Sequence, residues 1–162
     1  MKAIITGSFD PITVGHLEII KKASAFFEEL YVVALINSQK SYMFSLEEKK
    51  EIMELSLKDF KNVIVDAYDG MTADYMHMHQ ITKIIRGIRG KEDEEYEKNL
   101  ANAMSSFDSS FETLFIESDE KYKKISSTVA RKAIEDGKNL TGIIAENAID
   151  RVKEIYNSKK EG

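Results

Sequence analysis

Three stretches of this 162-residue chain carry side chains suited to handling phosphate. The first, Thr6-Gly7-Ser8-Phe9-Asp10-Pro11-Ile12-Thr13-Val14-Gly15-His16, leaves an apolar β-branched run and enters a helical pattern. Gly7 lets the backbone approach a phosphate, and His16 falls in the first helical turn, where free N–H groups and the helix dipole favour anions. The second, Ile84-Ile85-Arg86-Gly87-Ile88-Arg89-Gly90, sets two arginines beside two glycines. Planar guanidinium forks match phosphate oxygens, and the glycines keep the backbone close. The third, Ile125-Ser126-Ser127-Thr128 ahead of Val129 and Arg131, puts three hydroxyls at a helix start. Lys40, after the second apolar run, adds a point charge within reach. Each stretch also has a structural reading: a strand-to-helix turn with a satisfied histidine, solvated arginines, capping hydroxyls, a solvated lysine. What favours chemistry is that all four sit at equivalent places in the pattern of elements.

Those elements alternate. Apolar runs at Lys2–Thr6, Leu30–Ile36, Val63–Asp66, Thr82–Arg86 and Thr113–Ile116 are each followed by room for a helix, which predicts a doubly wound α/β fold: one parallel five-stranded sheet with helices on both faces. Leu17, Ile20, Ala23, Ser24 and Phe27 share helical spacing and give one face to bury. Ser45 followed by Glu48 is a capping-box pattern, ahead of Leu46, Ile52, Leu55 and Leu57. Acidic residues from Glu92 to Glu97 suit the first turns of another helix, and Glu97 is the one with a candidate role. Val129–Ile134 and Ala148–Tyr156 read as closing helices, separated by a break at Asp136-Gly137. The expectation is a single domain over residues 1–157 with a disordered tail at 158–162. In open parallel sheets ligands collect beyond the carboxyl ends of the strands, near the reversal of strand order, and every polar cluster named above falls at such an end.

Composition narrows the class. Apolar residues at 43%, charged residues at 31% and a single proline describe an ordinary folded protein. A formal net charge of −5 argues against a nucleic-acid partner, although a small anion needs only a local cluster of donors. With no cysteine, neither disulfides nor thiolate chemistry can be drawn from the chain. The opening run is too short for a signal peptide and no stretch is long enough to cross a bilayer, so no membrane partner and a cytoplasmic location are expected. Met76-His77-Met78-His79 invites a metal, but helix residues two apart do not share a face, and no metal site is expected there.

Taken in order, these blocks resemble the phosphopantetheine adenylyltransferases of coenzyme A synthesis over nearly the whole chain. The opening Gly-Ser-Phe-Asp-Pro-Ile-Thr-x-Gly-His is similar to the family's nucleotidyltransferase motif, with Thr13 where the wider superfamily has a first histidine. Lys40 followed by Met43-Phe44-Ser45-Leu46-Glu47-Glu48, then Arg86 to Arg89 with Asp93 and Glu95-Tyr96-Glu97, and finally Tyr122 to Thr128, match further blocks. The resemblance implies a Rossmann-like fold and adenylyl transfer from ATP to 4'-phosphopantetheine, with Mg2+ arriving on the ATP, a homohexamer, and feedback by coenzyme A. It implies a catalytic role for His16, Lys40 and Arg86, and an acceptor side formed by Ser8, Lys40, Thr72 and Arg86. The ATP side would comprise Ser8, Phe9, His16, Gly87, Ile88, Arg89, Glu97, Tyr122, Lys123, Lys124, Ile125, Ser126, Ser127 and Thr128. Gly90, Lys91, Glu94 and Ala145 depart from the family pattern.

Two alternatives stand beside this reading. Ile125-Ser126-Ser127-Thr128 with Arg131 also resembles the pyridine-nucleotide branch of the superfamily, whose acceptor is nicotinamide mononucleotide; glycerol phosphate is a further acceptor in the same class. A nucleotide-binding module without catalysis is the other, because a fold alone never establishes activity.

Overall fold

The computed structural model describes residues 1–37 and 39–161. Strands β1 (Lys2–Gly7), β2 (Glu29–Leu35), β3 (Val63–Tyr68), β4 (Lys83–Ile88) and β5 (Glu112–Glu117) form one sheet in the order β3-β2-β1-β4-β5. All neighbouring strands are parallel. Such a sheet is covered on both sides, which is why Ala3-Ile4-Ile5 and Tyr31-Val32-Val33-Ala34 are unbroken buried runs rather than alternating ones. The cover comes from α1 (Val14–Ser24), α2 (Leu46–Ser56), α3 (Thr72–His79), α4 (Lys91–Phe107), α5 (Ser127–Glu135) and α6 (Glu146–Glu161). Ala3, Ile5, Val32 and Ala34 pack on one face with Ile20, Ile52, Ala133 and Val152. Ile4, Tyr31 and Val33 pack on the other with Ala73, Tyr75 and Met76 of α3.

The expected α/β architecture is therefore present, with informative differences. β4 continues to Ile88 because its ladder with β5 runs on to Ile88↔Glu117, so Arg86 and Gly87 lie inside the strand and Arg89 is the first residue past it. α1 ends at Ser24, leaving Phe27 outside it, and buries Ile19 beside Ile20 and Ala23. α2 buries Lys49 along with Ile52, Met53 and Ser56, a charge that apolar periodicity does not reveal. Residues 158–161, expected as a disordered tail, instead continue α6. Lys159 explains that order: its Nζ donates to Met43 O at 2.8 Å, pairs with Glu48 and lies 5.5 Å from the Phe44 ring centroid. Gly162 lies outside the described residues.

The two histidines of α3 face different partners. His77 Nε2 lies 2.8 Å from Asp108 Oδ2, whereas His79 stacks on Tyr75 with ring centroids 4.2 Å apart. Among the described residues no helix is long and apolar enough to cross a membrane. Removing residues 158–162 is expected to lower stability by about 1 kcal/mol, the value of one exposed hydrogen bond and ion pair. Urea unfolding of the shortened chain checks this, and an unchanged midpoint would show that Lys159 holds nothing.

Candidate active site

Register places the site. β1 pairs with β2 through six residues, but with β4 only at Ile4↔Ile84. Beyond that pair the two strands part, and at their carboxyl ends lies a cleft of about 540 Å³. Gly7, Ser8 and Phe9 enter it from the end of β1, and Arg86 and Gly87 from β4. Gly15, His16 and Ile19 of α1 line it, as do Ser126, Ser127 and Thr128 at the start of α5. Lys40 reaches it from beyond β2, and Asp93 and Glu97 from α4.

His16 is held by the cap of its own helix. Thr13 Oγ1 accepts from His16 N at 3.4 Å, and Thr13 N donates to His16 Nδ1 at 2.9 Å. A backbone N–H can only donate, so Nδ1 must be the acceptor and the ring proton belongs on Nε2. Burial, and then the charge of Arg89, lower the imidazole pKa to about 4. The Phe9 ring stands edge-on against it with centroids 5.0 Å apart. The result is a neutral, oriented N–H donor on the cleft wall.

The arginines are arranged by carboxylates. Arg86 Nε donates to Glu97 Oε2 at 2.7 Å and its Nη1 to Thr6 Oγ1 at 3.4 Å, which spans the gap between the parted strands. Asp93 Oδ2 accepts from Arg89 N at 3.0 Å and fixes the turn into α4. On the other side of Arg86 and Thr6 lies a second cavity of about 180 Å³, with Thr72 and Thr113 at its edge and Ile84, Leu100, Ala101 and Met104 as apolar wall. Arg86 and Thr6 line both spaces.

The helix starts contribute unequally. In α1, Val14 N donates to Ile143 O and His16 N to Thr13, so Gly15 N is left as that turn's donor without a partner among the described residues. In α5, Ser126 Oγ caps Val129 N, leaving the Ser127 and Thr128 N–H groups at the cleft. Ser127 Oγ donates to Pro11 O at 2.9 Å, and Thr128 Oγ1 accepts from Arg131 Nη2 at 3.1 Å. Acting as acceptors, Ser126 and Thr128 keep their hydroxyl protons for a ligand. A Cβ on Gly15 would lie 2.9 Å from Ile125 O, so glycine is what lets the Tyr122–Ile125 turn close over α1.

The model of the cytidylyltransferase-like family matches residues 4–133. A phosphopantetheine adenylyltransferase of Shouchella clausii (strain KSM-K16) is 33% identical over 155 residues, covering 96% of this chain and 98% of that protein. The chain belongs to the cytidylyltransferase-like family and groups with its phosphopantetheine adenylyltransferases. Two solved structures share the family's Rossmann-like fold at 18% identity. One, from Vibrio parahaemolyticus, is described as a nicotinate-nucleotide adenylyltransferase and superposes with a TM-score of 0.64 over 96% of this chain and 97% of its own. The other, Plasmodium falciparum nicotinic acid mononucleotide adenylyltransferase complexed with NaAD, superposes at 0.66 over 95% of each.

Of the residues the phosphopantetheine adenylyltransferase resemblance singles out, the cleft brings together Ser8, Phe9, His16, Lys40, Arg86, Gly87 and Arg89. Glu97, Tyr122, Ile125, Ser126, Ser127 and Thr128 join them. Thr72 lies in the second cavity. Lys123 and Lys124 are not among the lining residues of either: Lys123 pairs with Glu120 at 3.2 Å and Glu117 at 3.7 Å. Ile88 is buried in the sheet instead of lining the cleft. Asp93, in the first turn of α4, also lines it, and Ser118, just past β5, is a lining residue that nothing in its sequence context signals. The departures from family pattern are accommodated. Glu94 pairs with Lys98 at 2.9 Å, Lys91 opens α4, Gly90 has open space where a Cβ would sit, and Ala145 O accepts from Ala148 N.

The capping geometry makes a spectroscopic prediction. Nitrogen-detected NMR of the ligand-free protein should show His16 protonated at Nε2 and neutral from pH 8 down to 5; a midpoint near 6.5 would contradict the half-buried, Thr13-bonded ring. The linked stability effect has a definite sign. Between 6.5 and about 4 the unfolded chain binds a proton that the folded ring refuses, so this contribution is present above 6.5 and is lost as pH falls.

Proposed function

We propose that this chain transfers the adenylyl group of ATP to 4'-phosphopantetheine, giving dephospho-coenzyme A and pyrophosphate. One observation carries the reading: a polar cleft rich in cations and helix N-termini meets a smaller, apolar-walled cavity at a shared Arg86. A triphosphate and a phosphate that ends an uncharged arm would lie end to end across that residue.

In this reaction an acceptor phosphate oxygen attacks the α-phosphorus in line, and the bond to the pyrophosphate oxygen breaks. The nucleophile is already anionic, so the protein's part is positioning and charge neutralisation rather than proton removal. His16 offers its Nε2–H to an α-phosphate oxygen whose charge grows in the transition state. Lys40 and Arg86, with Ser8 and Thr72, hold the acceptor. The Ser127 and Thr128 N–H groups and the Ser126 and Thr128 hydroxyls receive the departing phosphates. Phe9, Gly87, Arg89 and the Tyr122–Ile125 turn enclose the nucleoside, and Glu97 acts through Arg86, whose fork it orients. A divalent cation would travel with the ATP as part of the substrate; Asp93 and Glu97 are already engaged with the Arg89 amide and the Arg86 side chain.

Lys123, with its carboxylate partners, is left out of this assignment. The family reading further proposes a homohexamer in the cytoplasm, with coenzyme A, which carries both halves of the product, competing for both cavities. The exposed Tyr96 and Phe107 on α4, a helix with no buried residue, support self-association.

Pyrophosphate release with ATP and a panel of acceptors tests the activity. Turnover is expected with 4'-phosphopantetheine; turnover with nicotinamide mononucleotide instead would move the chain to the pyridine-nucleotide reading, and ATP binding without any turnover to the non-catalytic one. His16→Ala is expected to lower kcat by roughly a hundred- to a thousand-fold while leaving ATP affinity within about threefold. Equal losses in both would remove His16 from the transition state.

A further inference from the structure

Outside the cleft, the most unusual buried group is the ammonium of Lys49. The residue is fully buried, and its Nζ has no hydrogen-bond partner among the described residues. It lies 3.6 Å from the centroid of the Tyr42 ring. Tyr42 Oη in turn accepts from Asn37 N at 2.7 Å, and Asn37 O accepts from Lys40 N at 2.9 Å. Beside this chain of contacts, the carboxylate of Asp10, only 2% exposed, accepts from Met43 N at 2.8 Å and Phe44 N at 2.9 Å. Asp10 also lies 3.9 Å from Arg131 Nη1.

We infer that Lys49 is a positioning residue for the acceptor side of the site: it pins the Tyr42 ring from inside the core and thereby sets the turn that presents Lys40 to the cleft. The inference rests on the proposed function for the role of Lys40, but its structural half does not. A desolvated cation over an aromatic face is strongly directional, because the ring quadrupole attracts it only along its normal. Water does not reach this ammonium to substitute for the ring, so loss of the charge should release the ring and, with it, the Asn37 contact. Asp10, buried beside Arg131, holds the next two amides of the same segment with its two oxygens. Lys49 therefore acts on Asn37 through Tyr42, and Asp10 on Met43 and Phe44, so the two buried charges hold residues on either side of Lys40 in the chain.

The test compares wild type, Lys49→Met and Lys49→Arg, each alone and with Lys40→Ala. Lys49→Met is expected to raise the KM for 4'-phosphopantetheine roughly tenfold while ATP affinity changes by less than about twofold. Lys49→Arg, whose guanidinium also stacks on aromatic faces, should restore most of the loss. In the Lys40→Ala background Lys49→Met should add little, since the two changes remove one effect. Hydrogen exchange at the Asn37 amide, which the Tyr42 hydroxyl accepts from, should quicken in Lys49→Met without any ligand. An unchanged acceptor KM, equal losses for ATP and acceptor, full additivity with Lys40→Ala, or unchanged exchange would each overturn the inference. If Lys49→Met fails to fold, Tyr42→Leu removes the ring and must give the same pattern. A wild-type protein inactive on 4'-phosphopantetheine would refute the functional reading instead, and amide exchange would still decide whether Lys49 holds the loop.

Discussion

The site exists because β1 and β4 pair at a single position and then diverge. β1 is the central strand, with β2 and β3 built outward on one side and β4 and β5 on the other. The connections leaving β1 and β4 therefore run to opposite sides, and no backbone fills the space above their ends. Side chains fill its margins instead. The Arg86 to Thr6 bond replaces the ladder bonds that a continuous pair of strands would make at that level. A cation thus stands beside the strands that pair least, and it lines both cavities. Gly87 serves the same geometry, because a Cβ there would approach Ile19 Cγ1 to 3.2 Å and that side chain would have to give way.

A chain with net charge −5 can hold anions because its carboxylates near the cleft are committed elsewhere. Glu97 is directed at Arg86, Asp93 at the Arg89 amide, and Asp10 at the amides of Met43 and Phe44. Each acts as a fixed acceptor that arranges a donor and leaves other cationic valences facing the cleft. Arg86 shows the economy of this: Glu97 engages its Nε and Thr6 its Nη1, which fixes the guanidinium plane before any ligand arrives. Pre-ordered donors contribute more to charge stabilisation than mobile ones, since no reorganisation is needed as charge develops.

The sheet was legible because its strands are apolar and evenly interleaved with helical segments. The ends of strands were less so: nothing in Arg86-Gly87-Ile88-Arg89 says that pairing with β5 carries the strand through Ile88. The polar clusters were legible by type, since glycine, arginine and hydroxyl residues at strand ends have few other uses together. What could not be read was partnership. Lys123 and Lys124 sit in the right segment, but carboxylates on Glu117 and Glu120 draw Lys123 aside, and that depends on side-chain direction in a short turn. Lys49 is illegible for a related reason: on the helical repeat it is one of two adjacent lysines, and only three-dimensional packing shows the Tyr42 ring beneath it. The ordered end of α6 was missed likewise, because its anchor lies across the chain at Met43 and Glu48.

His16 shows how folding and chemistry can share atoms. The Thr13–His16 box closes the start of α1, and a cap of this kind is worth about 1 kcal/mol to the helix. The same bond determines which ring nitrogen carries the proton and aims it at the cleft. Had an aspartate or serine closed the box at position 16, the helix would begin just as well and the cleft would lose its neutral donor. Had the imidazole been left unbonded at Nδ1, the donor would exist only as one tautomer among two and in one orientation among many. Because the cap is worth so much less than the roughly 3–4 kcal/mol attributed to a well-placed donor in a transition state, selection for stability alone would not single out histidine at this position. Under the proposed function, the cap is the means by which the fold delivers to the cleft a histidine held in one tautomer.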